Sequence, residues 1–169
     1  RYEDNDEGMN DTQLLAETQV LFAAGHETSA NSIAWTLYLL EQHPEVVAKL
    51  RAEFDRVLDG RPPSFTDLRQ LTYTMQVINE SMRLYPPAWV VDRVAIDDDE
   101  INDVSIKKGD LLTIYIYGAH HHPLFWHNPE SFEPSRFERD KMKEIHPFAY
   151  FPFGGGPRLC IGQQFAMVE

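Results

Sequence analysis

Residues 151–162 read FPFGGGPRLCIG and place three consecutive glycines, Gly154, Gly155 and Gly156, just ahead of the only cysteine in the chain, Cys160. Two readings compete. Glycines before a helix N-terminus leave backbone N–H groups open to an anion, as in phosphate-binding loops. The stretch lacks the Lys-Ser/Thr pair that completes such a loop. In the second reading the glycines let backbone approach a flat, bulky ligand without side-chain clash. Cys160 then lies at or just before the first turn of a helix predicted over 161–169, whose N–H groups and dipole favour a thiolate. A lone cysteine is by itself most often a small buried hydrophobe, so its surroundings must decide.

Composition narrows the field. The 169 residues are 43% hydrophobic and 12% aromatic, an ordinary globular balance. A net charge of -12, from 27 acidic and 15 basic side chains, argues against nucleic acid or an anionic membrane surface as partner. One cysteine cannot build an internal disulfide framework and fits a reducing, cytoplasmic setting. No signal-peptide pattern opens the chain, and no apolar run is long enough to span a bilayer. Arg1 at the start and Glu169 inside a helical pattern suggest a fragment, so an anchor ahead of it stays an alternative.

The acidic stretch 1–11 reads as a solvated lead-in, with Asp11 or Thr12 as N-cap for one long helix to about Gln42. Thirty residues at a rise of about 1.5 Å give roughly 45 Å. Apolar residues (Leu14, Val20, Phe22, Ile33, Leu37 and others) occur on most of its circumference, as in a helix crossing the interior of a larger protein. Pro44 begins a second, amphipathic helix that Gly60 ends. YTMQVINESMRLY is a third, stopped by Pro86 and Pro87. WVVDRVAI and DLLTIYIYG read as strands, with KKGD at a turn. The Pro-rich stretch from His120 onward shows no sustained period, yet its aromatics point to packed structure.

Four segments resemble the cytochrome P-450 superfamily. FGGGPRLCIG matches its haem-binding signature, with Phe153, Gly156, Arg158, Cys160 and Gly162 in place. AAGHETS in the long helix is similar to its oxygen-binding motif, ESMR to its Glu-x-x-Arg, and FEPSRF to its Phe-x-Pro-x-Arg-Phe, all in the family's order. The resemblance covers residue 12 to the end, and implies the C-terminal part of a single mainly helical domain with a small β region.

It further implies haem b (heme, iron protoporphyrin IX), held non-covalently, with Cys160 as axial thiolate to the iron. Arg158 and Arg93 match propionate-binding positions. Phe153, Gly154 and Gly162 belong to the proximal loop, and Ala24 and Gly25 form a shallow surface on the helix above. Gly25 costs that helix about 1 kcal/mol relative to alanine, so it asks for a reason. Thr28, four residues after Ala24, can bond that carbonyl or turn to a ligand. With Glu27 it is the implied proton relay to iron-bound oxygen. Glu80 and Arg83, at i and i+3, can pair on one face. The resemblance adds Arg136 and a network pinning the cysteine loop to the third helix. Ala88, Trp89, Val90 and Val91 resemble a substrate-contacting segment; Phe22 and Ala23 are further candidates.

His120, His121, His122 and His127 invite a zinc site. Three adjacent histidines cannot all face one ion, and no second cysteine is available. They resemble instead the family's His-Arg-Asp-Pro turn, with His121 and His122 departing from the usual basic and acidic residues. The implied activity is oxygen insertion into an apolar substrate, with electrons from NAD(P)H through a flavoprotein reductase or ferredoxin. Arg139, Lys141, Lys143 and Arg158 form a candidate docking patch for that partner. IYGAHHHPLFWHNPESFEPSRF leans toward the fatty-acid and alkane hydroxylases. A haem-thiolate isomerase, which needs no reductase, is disfavoured by the intact Glu27 and Thr28; a haem sensor is the rival of another class.

Overall fold

The computed structural model describes residues 8–169, so residues 1–7 of the acidic lead-in lie outside the described residues. Helix α1, Asp11–Gln42, is 32 residues and about 48 Å long. Its cap is Asn10 rather than Asp11 or Thr12. The Asn10 side chain accepts the Gln13 N–H while the Gln13 side chain accepts the Asn10 N–H, two orphan donors satisfied by one reciprocal pair. Asp11 sits in the first turn, where its charge suits the dipole. Leu39 is the buried residue of α1; Phe22 is 74% exposed, and Leu21 and Leu37 are exposed too.

Helix α2, Pro44–Leu58, begins on its proline. It ends through two successive left-handed residues, Asp59 (φ 49°) and Gly60 (φ 76°), one position before the glycine that announces the stop. Helix α3, Thr72–Leu84, has no side-chain cap at its own N-cap residue. Glu53 of α2 supplies the missing acceptor: its carboxylate takes the N–H groups of Tyr73 and Thr74, each at 2.8 Å, and the Thr74 hydroxyl at 2.7 Å. Burial pushes that carboxyl up, but these donors prevail and hold it below the usual carboxylate range. Leu39, Val46, Leu50, Val77 and Leu84, one or more from each helix, join Phe132 in the main core.

Pro86 and Pro87 end α3 as their missing N–H groups require. Strands β1 (Val91–Val94) and β4 (Leu111–Ile114) then pair antiparallel, Val91 opposite Ile114 and Val94 opposite Leu111. Between them β2 (Asp99–Ile101) and β3 (Val104–Ile106) form a hairpin. Its turn residues, Asn102 (φ 48°) and Asp103 (φ 64°), are both left-handed, as a two-residue hairpin turn demands. KKGD closes the β3–β4 connection, with Asp110 N–H donating to the Lys107 carbonyl at 2.9 Å.

The β region is smaller than the sequence suggests. The strand predicted over DLLTIYIYG stops at Ile114, and Ile116–His120 is a short helix, α4. Beyond Val91 the chain turns back to the prolines, so no partner remains for β4; Tyr117 N–H bonds the Trp89 carbonyl at 3.1 Å instead, and Ile116 is fully buried. The last helix is also shorter. Only Gln163–Ala166, α5, is helical, not 161–169. So short a stretch closes few i to i−4 bonds against the cost of nucleation.

Candidate functional site

The densest polar construction lies beneath α3. Glu80 and Arg83 both have fully buried side chains and meet at 2.7 Å. Arg83 has five N–H donors, and each finds an acceptor. Nε and one Nη2 hydrogen go to the two Glu80 oxygens at 2.7 and 2.9 Å, the other Nη2 hydrogen to the Ser131 carbonyl at 3.1 Å, and Nη1 to the carbonyls of His120 and Pro129 at 2.9 and 2.8 Å. Its guanidinium also lies 5.1 Å from the Trp126 ring centre. Glu80 accepts in turn from Arg136 Nε at 3.2 Å and from the Glu133 N–H at 2.9 Å. Glu80, Arg83 and Arg136 are therefore brought together.

What they pin differs from the sequence reading. Their partners lie in residues 120–136, and none is in the cysteine loop. The loop is tethered to α3 and α4 by other residues: Tyr150 donates its hydroxyl to the Asn79 carbonyl and side-chain oxygens at 3.1 and 2.9 Å, and Phe151 N–H donates to His120 Nε2 at 3.0 Å. Asn79, His120 and Tyr150 escape sequence reasoning as site-building residues, because their partners are 71 and 31 positions away. Only the run of aromatics ahead of the glycines hints at an anchored segment.

Within the loop, Phe151 carbonyl accepts from Gly154 N–H at 2.9 Å and Phe153 carbonyl from Cys160 N–H at 3.0 Å. Gly154 (φ 75°) and Gly156 (φ 69°) are left-handed, and a Cβ on either would meet nothing within 4 Å. A short 3-10 turn, Gly156–Arg158, follows. Cys160 is an exposed free thiol. It precedes α5 rather than standing in its first turn, so the helix-dipole argument for a thiolate does not apply to this arrangement. Leu159 and Ile161 flank it and are exposed, Ile161 at 92%. An exposed sulfur flanked along the chain by exposed apolar side chains fits an apolar macrocycle ligated through its metal.

Across the chain, Thr28 donates its hydroxyl to the Ala24 carbonyl at 2.6 Å. Gly25 faces open space where a Cβ would stand, and Glu27 is exposed. One residue on, Ser29 donates to Glu169 at 2.7 Å, which ties this part of α1 to the segment after Cys160. Arg93, on β1, turns to the neighbouring Asp92 carbonyl at 2.8 Å. Arg158 is exposed at the end of its turn.

Ala88 and Trp89 are exposed, Val90 and Val91 half-buried. Trp89 meets the Tyr115 ring edge-on with centres 6.3 Å apart. None of these four lines the recess of about 250 Å3 between α3 and the cysteine loop, whose walls include Asn79, Tyr150, Phe153, Gly154 and Leu159. The histidines diverge. His120 is fully buried, His121 stacks on Tyr117 with ring centres 3.9 Å apart, and His122 accepts the Leu124 N–H. The basic patch is largely offset by its own neighbours: Lys141 pairs with Glu138 at 3.2 Å and Lys143 with Asp140 at 2.7 Å.

A mainly helical chain with a small β region, a buried Glu-Arg-Arg cluster and a cysteine behind a glycine turn agree with the resemblance to the haem-thiolate cytochromes P-450. The cytochrome P450 family profile matches residues 1–169, and the chain belongs to that family. Among curated relatives, Protein LUTEIN DEFICIENT 5, chloroplastic, of Arabidopsis thaliana is 44% identical over 160 residues, covering 93% of this chain and 27% of its own length. Cytochrome P450 3A13 of Mus musculus is 40% identical over 162 residues (95% and 32%). Cyclooctat-9-en-7-ol 5-monooxygenase of Streptomyces melanosporofaciens is 39% identical over 162 residues (96% and 35%). The chain thus spans about a third of the length of these relatives. Among the described residues no helix is long and apolar enough to cross a membrane.

Proposed function

We propose that this chain carries the haem-binding and oxygen-handling part of a haem-thiolate monooxygenase that places one atom of dioxygen into an apolar organic substrate. The supporting observation is the exposed Cys160 thiol between apolar neighbours, on a loop whose left-handed Gly154 and Gly156 leave the space above them empty. Bound haem b supplies dioxygen reduction and one-electron chemistry, with electrons drawn from NAD(P)H through a flavoprotein reductase or ferredoxin.

The chain's residues divide the remaining work. Cys160 would hold the metal through its sulfur, and Arg158 and Arg93 would offer guanidinium forks suited to the group's carboxylates. Phe153, Gly154 and Gly162 would line the group from the cysteine loop, and Ala24 and Gly25 would leave room for it on α1. The Thr28 hydroxyl, parked on the Ala24 carbonyl, can turn outward and hold a proton at Oγ1, replenished from Glu27. Ala88, Trp89, Val90 and Val91 exclude water and orient the substrate. Fatty acids or alkanes are the finer reading, supported by the resemblance of residues 116–137 to hydroxylases of those substrates. The name of the Streptomyces relative, which gives cyclooctat-9-en-7-ol as what that protein oxidises, supports the coarser apolar class.

The test is oxygen uptake by full-length protein supplied with NADPH and a reductase. Uptake matched by hydroxylated product is expected, and Thr28→Ala should separate the two, with oxygen consumed but product falling about tenfold or more. Product formation from a peroxide substrate with no NADPH would identify an isomerase instead, and no turnover at all a sensor.

A further inference from the structure

His120 sits where three elements meet. Its ring is fully buried, lies 5.2 Å from the Tyr150 ring centre and 5.6 Å from that of Phe151, and accepts the Phe151 N–H at Nε2. Accepting there fixes the tautomer: in the neutral ring the proton is on Nδ1. Nδ1 has no hydrogen-bond partner of good geometry among the described residues. The Met82 and Arg83 carbonyls face it closely enough to favour a charged ring; burial and the Arg83 guanidinium outweigh them and lower its pKa to about 4.

Those two carbonyls are open for a covalent reason. In a continuing helix they would accept from residues 86 and 87, and both are prolines without N–H groups. The double proline that stops α3 therefore leaves the Met82 and Arg83 carbonyls without their helical donors, beside a residue whose Nε2 holds the loop. From Phe151 the connection runs on through Gly154 N–H to the Phe151 carbonyl and Cys160 N–H to the Phe153 carbonyl. Burying a donor short of its partner is costly, so the ring's position asks for a compensating role.

We infer that His120 is a positioning residue for the cysteine: its carbonyl accepts Arg83 Nη1 of α3 while its ring accepts the Phe151 N–H at Nε2, and so it fixes the loop that presents Cys160. It touches neither metal nor substrate, and this role rests on the reading of Cys160 as the haem ligand. A ring that served only to fill volume would be replaced by any side chain of its size. A brace needs an acceptor at the Nε2 position.

Glutamine can place its Oε1 near that position; asparagine is one bond too short, and phenylalanine fills the volume without an acceptor. In full-length haem-loaded protein, His120→Gln is expected to keep both the slow exchange of the Phe151 amide and the strongly red-shifted Soret band of the reduced carbon monoxide complex. His120→Asn and His120→Phe should speed that exchange about tenfold or more, and convert most of the complex to the unshifted band at unchanged helix content. Asn serves as the polar control should the Phe variant not fold. Equal exchange rates and spectra in the Gln, Asn and Phe variants would overturn the inference. If wild-type protein shows no red-shifted band, the ligand reading fails, while the exchange comparison still decides the brace.

Discussion

Arg83 uses every N–H it has, and this sets how the site responds to substitution. A lysine at 83 keeps the charge but offers three donors from one point, and cannot reach two Glu80 oxygens and three carbonyls on different sides. Arg83→Lys should therefore lower the unfolding free energy by roughly 3 to 5 kcal/mol, the scale of a broken buried pair, with loss of haem following from loss of fold; chemical denaturation of the full-length protein reads it. His120 gives a pH dependence of definite sign. Its ring resists protonation when folded, with a pKa of about 4 against 6.5 in the open chain. The unfolded chain thus takes up a proton first as pH falls. Stability is complete above pH 6.5 and declines toward pH 4, by on the order of 3 kcal/mol. Acid unfolding of His120→Gln should show a shallower slope across that window, and an identical slope would mean that His120 is not the group titrating.

At the scale of elements, α3 is held at its N-terminus by Glu53 and at its C-terminal half by Arg83. Removing the Glu53 charge with Glu53→Gln should cost about 1 to 3 kcal/mol, since two N–H groups would share a weaker acceptor; thermal unfolding measures it. The helices themselves were legible because the signals are local. Pro44 opens α2, left-handed Asp59 and Gly60 close it, and Pro86 and Pro87 end α3. The elements that were misread take their shape from distant partners: β4 stops where β1 has no further residues to pair. The acceptor that Glu53 supplies to α3, and the loop anchors Asn79, His120 and Tyr150, depend on partners 20 to 71 positions away, which no local pattern marks. The motif residues were legible in the sequence as a pattern. How Arg83 spends its donors became visible only with the carbonyls of residues 120–131 in place.

In the whole molecule, apolar side chains on α1 and around Cys160 remain at the surface, Phe22 and Ile161 among them. Helix α1 carries apolar residues around most of its circumference, and Leu39 is its buried residue among the described residues. The resemblance to the cytochrome P-450 superfamily implies haem held non-covalently. Haem should accordingly leave the full-length protein in acid-acetone, and haem retained on the polypeptide would contradict non-covalent binding. The central claim, that Cys160 is presented as an axial thiolate, has a more direct test. The reduced full-length protein under carbon monoxide is predicted to show a strongly red-shifted Soret band that Cys160→Ser abolishes; a wild-type spectrum lacking the shifted band, or one that survives the serine substitution, would contradict it.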